Sequence, residues 1–371
     1  MTELDELRRR LRHFAEVEVA GESPLYAHLA ACAAEDEDVA GLLLDARQQS
    51  AHGTLLLAAA HRLLYAEPFH PLSRYYPSVG GADGVDGATW PMFREFVLGR
   101  ADRMRELIGS RFTQTNEVRR AALLYPAVGL AAREARGPVG LLEVGCSAGL
   151  LLDLHRYGYR YQTESAGQLV AGPTKTPVGL HCAVELAPGA ELPRLPKTVK
   201  VGARVGLDRA PADLSDEDTY GWLEACIWAD QPERLRLFGV AASMQRKDPP
   251  ELVSGDAVDD LAAAAARVPA ALPLVVFNTH TLRYLPEQRR ADYVAALAAL
   301  SEQRPLWWIS AEAYGAGLDV VLPDRADLEP GDGEPYLGTL AVVRWSAGQP
   351  DVRVLAKTAP HGERMEWLTA T

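Results

Sequence analysis

Seven residues, Glu143-Val144-Gly145-Cys146-Ser147-Ala148-Gly149, hold the parts of two different chemistries. As G-x-S-x-G over 145–149 they form the turn that presents the nucleophilic serine of an α/β hydrolase. As an acid followed by spaced glycines they form a strand-to-helix turn, where backbone N–H groups meet a nucleotide cofactor. In that second reading Gly145 permits the tight turn and Gly149 lets the next segment pack close. The small Cys146, Ser147 and Ala148 keep the approach open. Further acids follow later strand candidates. Asp208 in "RVGLDRAPAD" is placed for a ribose diol, and Asp256 in "VSGDA" for an adenine amino group or for capping the helix that begins at Ala257.

A second polar cluster, "FNTHTLRY", follows the apolar run at 272–277. Imidazole titrates near neutrality, so His280 is a candidate general base, with the alternative of a hydrogen-bonded strand-end histidine. Asn278 is a candidate cofactor contact and Tyr284 a candidate substrate contact. Glu312, at the end of "PLWWISAE", joins His280 as a candidate catalytic residue. "QTNEVRR" (114–120) offers Asn116 and Arg119 for a carboxylate of cofactor or substrate, although Thr115 or Asn116 could simply cap a helix.

These residues need elements to hold them. Residues 1–137 read as helices alone, including one opened by Ser23-Pro24, an apolar one at 51–65 and one at 90–107. From 138 the pattern turns to strand, turn, helix. Strand candidates lie at 139–144, 203–208, before Gly255-Asp256, at the start of 272–286 and from 305. Helical pieces at 217–245 break near Asp230-Gln231-Pro232. "PYLGTLAVVRW" and "PDVRVLAKT" read as a closing antiparallel hairpin at one sheet edge. Prolines 173, 177, 188, 193 and 196 forbid a long helix, so 158–200 reads as an insertion, with a lid over the site as one role. Tyr157, Tyr159 and Tyr161 alternate as on a half-buried strand. Two domains follow: a helical one over 1–137, and a doubly wound, mostly parallel α/β sheet over 138–371.

The hydrolase reading fits this order poorly. The strand carrying the motif is the first of the sheet, and no oxyanion loop precedes it, since Gly80-Gly81 follows no strand. With nine histidines and 50 acids, a Ser–acid–His order such as Ser147, Asp256 and His280 or His361 arises without selection for it. One acidic glycine loop with acids after the second and third strands looks like the Rossmann-like fold of class I methyltransferases that use S-adenosyl-L-methionine (SAM). "RFTQTNEVRRAALLYP", "LLEVGCSAGLLL", "RVGLDRAPAD", "WLEACIWADQPERLRLF" and "VSGDA" together resemble the bacterial domain-of-unknown-function family numbered 2332. That resemblance covers nearly the whole chain and implies a methyltransferase-like second half. The family shows "GASAGLN" at the glycine loop, where this chain has Cys146 and Leu151, and the leucine removes a polar contact.

Composition narrows the partners. The 371 residues are 48% hydrophobic and 24% charged, with a net charge of −12. An acidic surface disfavours nucleic acid, and Arg8–Arg10 with Arg12 read as a solvated helix face. No run of about 18 apolar residues suggests a membrane span, and the charged N-terminus lacks a signal-peptide core. Cytoplasmic location is the expectation. The four cysteines are too far apart for a disulfide framework or a zinc site, so no metal is expected. The sequence therefore predicts a SAM-binding enzyme for a small-molecule nucleophile. The remaining alternatives are a Ser147 hydrolase and a non-catalytic nucleotide-binding module.

Overall fold

Every residue of 139–144, 274–279 and 306–312 is buried, as strands covered on both faces require. The computed structural model of the chain describes residues 2–47, 52–331 and 336–369. It divides into two compact units, one of residues 1–116 and 213–239 and one of residues 117–212 and 240–371.

The second unit is a mixed α/β structure around an eleven-stranded sheet. Its strands are β1 (Val139–Val144), β2 (Gly158–Thr163), β3 (Gly167–Ala171), β4 (Gly179–Leu186), β5 (Val201–Asp208) and β6 (Glu251–Ser254), then β7 (Leu274–Thr279), β8 (Leu306–Glu312), β9 (Gly338–Ser346), β10 (Gln349–Thr358) and β11 (Arg364–Trp367). The order is β3-β2-β4-β11-β10-β9-β8-β7-β1-β5-β6. From β8 to β6 all neighbours are parallel. Beyond β8 the sheet continues through antiparallel β9, β10 and β11. After β1 the chain builds β2, β3 and β4 at the far end of the sheet, comes back to β5 on one side of β1 and later reaches β7 on the other. The carboxyl ends of β1 and β7 thus flank a switch in winding direction, the place where open parallel sheets bind ligands.

Three expectations change. The β9–β10 hairpin, turned by left-handed Ala347 and Gly348, lies inside the sheet rather than at its edge. The 158–200 segment is no lid. It supplies β2, β3 and β4, which extend the sheet on the side away from β1, with Pro173 and Pro177 in the β3–β4 connection and the other prolines before β5. The tyrosines of β2 behave as their alternation predicts, with Tyr159 and Tyr161 buried between exposed Arg160 and Gln162. Lastly, the boundary is not the contiguous one at 137. Helix Ala121–Ala135 belongs to the sheet unit, where it packs on β8 and β9 and its Glu134 accepts from Trp307 Nε1 at 2.8 Å.

The first unit is helical, and no strand occurs among its described residues. Ser23 opens helix Pro24–Glu35 as expected, accepting from Tyr26 N–H at 3.1 Å. Its hydroxyl also donates to Asp230, whose carboxylate takes the Leu25 N–H at 3.2 Å. Residue 230 lies in the 213–239 segment, which therefore completes this unit. The single helix expected at 90–107 is two, Thr89–Leu98 and Ala101–Ser110, parted at Gly99-Arg100. The apolar helix occupies His52–Ala66; Ala51, which the sequence reading placed in it, lies outside the described residues.

Ser23 is fully buried and serves both as cap and as donor to Asp230. Ser23→Ala should therefore lower the stability of the chain by about 1–2 kcal/mol, the upper end for losing a cap, as read by urea denaturation. A loss below a few tenths would show that Asp230 gains nothing from the contact.

Candidate active site

The glycine loop after β1 is folded back on the protein. Gly145 N–H donates to the Leu207 carbonyl at 2.7 Å, Ser147 N–H to Asp208 Oδ2 at 2.8 Å and Gly149 N–H to the Cys146 carbonyl at 2.7 Å. These amides do not face outward for a ligand as the sequence suggested. Gly145, at φ +77°, is needed for packing, because a Cβ there would overlap the Thr281 side chain in the loop after β7. Gly206 is another close approach, since a Cβ would meet the Cys146 sulfur. Gly149 leads into a 3-10 segment, Leu150–Arg156, and not into an α-helix. Burial, reinforced by the charges of Glu143 and Asp208, pushes the Cys146 thiol well up, so it is inert.

Glu312 builds the facing loop. One of its carboxylate oxygens accepts from Asn278 Nδ2 at 2.8 Å, Thr281 N–H at 2.6 Å and Leu282 N–H at 3.0 Å. This turns the chain sharply after β7 and leaves His280 left-handed at φ +50°, as Ser147 is across from it in the β1 loop. Non-glycine residues held this way cost about 1–3 kcal/mol each and collect at ligand sites. The other Glu312 oxygen is buried without a hydrogen-bond partner.

Glu143 repeats that pattern from the last turn of β1. It is 3% exposed, and its Oε2 also has no hydrogen-bond partner. Burial holds its carboxyl well above the usual carboxylate range, the Asp208 charge adds to this, and Arg120 pulls the other way. Arg120 was not singled out in the sequence, where its neighbour Arg119 was. Arg120 is 7% exposed and donates to the Pro360 carbonyl at 2.9 Å, and its charge reaches Glu143, Glu312 and His280. Glu312 is likewise raised by burial, against its three donors and Arg120. Burial pushes His280 down to about 3, helped by Arg120, Arg283 and His361, so its imidazole is neutral at physiological pH.

The sheet unit thus brings Glu143, His280 and Glu312 within reach of the Arg120 charge, with Asp208 beside Glu143 and accepting from the Ser147 N–H. Other expected residues have different work. Asn278 is fully buried, its oxygen taken by Trp308 Nε1 at 2.7 Å, so it braces the core rather than a cofactor. Asp256 accepts from the Val258 N–H and from Arg289, which caps a turn and forms an ion pair. These contacts outweigh its burial and hold its carboxyl below the usual range. Arg119 is engaged by Glu117 through two bonds of 3.1 Å. Asn116 ends the first segment of the helical unit and lies outside the sheet unit. Tyr284 is 79% exposed, beside Arg283. No cluster suited to a metal ion occurs among the described residues, and no described helix is long and apolar enough to cross a membrane.

A family model described as an uncharacterized protein conserved in bacteria, DUF2332, matches residues 8–367. The chain belongs to the DUF2332 family. No curated protein and no solved structure matches it. The DUF2332 match spans both units, including the 213–239 segment that completes the helical one.

Because the folded pKa of His280 lies below its ordinary value near 6.5, the folded chain binds fewer protons there than the unfolded chain does. That cost is absent above about pH 6.5 and grows as the pH falls toward 3. His280→Gln should therefore gain stability over the parent on acidification, approaching about 1.4 kcal/mol per pH unit in paired urea titrations. A difference independent of pH would show that His280 is not held neutral.

Proposed function

We propose that this chain is a SAM-dependent methyltransferase acting on a small-molecule O, N or C nucleophile. The observation that carries the reading is the buried Glu143 carboxyl, with one oxygen lacking a partner, at the winding switch beside Arg120 and Asp208. The donor set fits the cofactor's mixed chemistry. Glu143 is an acceptor for an ammonium group, Arg120 a counter-charge for a carboxylate and the half-exposed Asp208 an acceptor for ribose hydroxyls. Asp256, Asn278 and the loop amides do not add to this set, being engaged elsewhere. The bound cofactor would supply an electrophilic methyl group on a sulfonium.

The chain's own residues would do little proton chemistry. A base works best with a pKa near the working pH, and His280, pushed down to about 3, is a weak base for an alcohol or amine. Its neutral ring instead accepts a hydrogen bond and orients the nucleophile. Alignment of donor and acceptor then carries most of the acceleration. Glu143 would lose its proton when a cation arrives, because the new charge replaces the solvent that burial removed.

Calorimetry with SAM and with its demethylated product tests the proposal. Binding should release a proton, so the measured heat should change with the ionisation enthalpy of the buffer. Glu143→Gln should weaken SAM by about tenfold or more and abolish the buffer dependence. Ser147→Ala should stay within a few-fold of the parent. No binding of either compound at millimolar concentration would end the proposal, and covalent trapping of Ser147 by a fluorophosphonate would turn it to the hydrolase reading.

A further inference from the structure

The helical unit contains a serine and a histidine in hydrogen-bond contact that the proposed methyl transfer does not use. Ser78 Oγ lies 2.7 Å from His61 Nε2. On the other side of the ring, His61 Nδ1 faces the carbonyl oxygen of Ala225 at 3.1 Å. A carbonyl can only accept, so Nδ1 carries the proton and Nε2 is left as the acceptor for the serine hydroxyl. The backbone carbonyl therefore does for His61 what an aspartate does in a catalytic triad, fixing the tautomer and the ring orientation.

The surroundings keep His61 neutral, although burial also makes it a weaker base than a free imidazole. His61 is fully buried and Ser78 half-buried, so the serine lies nearer the surface than its base. Burial pushes His61 down to about 4, against the carbonyls of Ala225 and Ile227, so the ring stays in its proton-accepting form. The Tyr65 ring stacks on His61 with centroids 4.6 Å apart, and its hydroxyl lies near Ser78. Ser78 sits on a short 3-10 turn, Pro77–Val79, closed by left-handed Gly80 and tied by the Ser78 N–H to the Ala229 carbonyl at 3.0 Å. Rotation of the turn away from His61 would break that bond.

We propose that Ser78 and His61 form a second active centre, a nucleophilic dyad that hydrolyses carboxylic esters. Ser78 Oγ bonds to the acyl carbon while its proton passes to His61 Nε2. The carbon–oxygen bond to the alcohol then breaks, and the alcohol leaves with that proton. Water attacks the acyl-serine, gives its proton to Nε2, and the acid departs as the proton returns to Ser78. Tyr65 O–H is the donor at hand for the charge that develops on the acyl oxygen.

The experiment is labelling of the full chain by a fluorophosphonate, followed by intact mass and peptide mapping. The expected result is one adduct on Ser78, absent in Ser78→Ala, and formed about 10²-fold or more slowly in His61→Gln. The pH profile of the unmodified chain gives a second readout that does not depend on the variant folding. The groups facing the ring are Tyr26, Tyr65 and Tyr76, with Glu224 and Asp230 behind them. The tyrosines remain neutral, because burial raises all three. The labelling rate should therefore be level from about pH 6 to 9 and fall below about pH 5 as His61 takes up a proton. A rate that climbs about tenfold per pH unit through that range would show an unaided serine and overturn the proposal. So would the absence of a Ser78 adduct, or an adduct on Ser147 alone.

Discussion

A single carboxylate oxygen fixes the geometry on which the candidate site depends. Glu312 gathers one side-chain amide and two backbone amides from the chain just beyond β7, and this turns the loop back over the end of the sheet. Thr281 is thereby set against Gly145, so the loops after β1 and β7 close on each other only because residue 145 has no side chain. His280 is forced into the left-handed region by the same turn. Without Glu312 three buried donors would lose their acceptor, at about 1–3 kcal/mol each, more than the strain at His280 costs.

Burial then sets the protonation states around Arg120. Two carboxyls raised by desolvation and one histidine lowered by it share a cation that is itself almost out of water. Burial shifts all three toward their neutral forms, with Arg120 as the cation among them. In the proposed reading, an ammonium group would recover Glu143 as an anion while a carboxylate would meet Arg120.

Much of the sheet was legible because its strands are short apolar runs that end in glycine, aspartate or proline. All five strands of the parallel block, β1, β5, β6, β7 and β8, were found this way, and so was the β9–β10 hairpin. The turn chemistry at Ser23-Pro24 and at Asp230-Gln231-Pro232 was equally plain. Long-range pairing was not. Nothing local in 158–186 tells whether the strands border β1 or extend the far side, since register and neighbour are settled by other parts of the chain. Arg119 and Arg120 look alike in the sequence, and only the fold shows that one is engaged by Glu117 while the other is buried against Pro360. Asn278 and Asp256 have the right residue types for ligand contacts, but nearby donors reach them first. Ser78 and His61 are 17 residues apart with no motif to join them, and the carbonyl that orients the histidine comes from residue 225.

That contribution from residue 225 has a consequence for synthesis on the ribosome. The helical unit is interrupted in the sequence, and its last segment, 213–239, emerges only after residues 117–212 have been made. At roughly 5–20 residues per second, the first 116 residues wait on the order of 5–20 s for the residues that complete their core. During that interval the surface awaiting Trp222, Leu223 and Ala225 is open to solvent, and Ser23 has no Asp230 to bond. The nascent chain is thus most prone to association with its neighbours on a polysome while the sheet unit is only partly made. A fragment cut at residue 137, where the sequence pattern changes, would make that temporary exposure permanent.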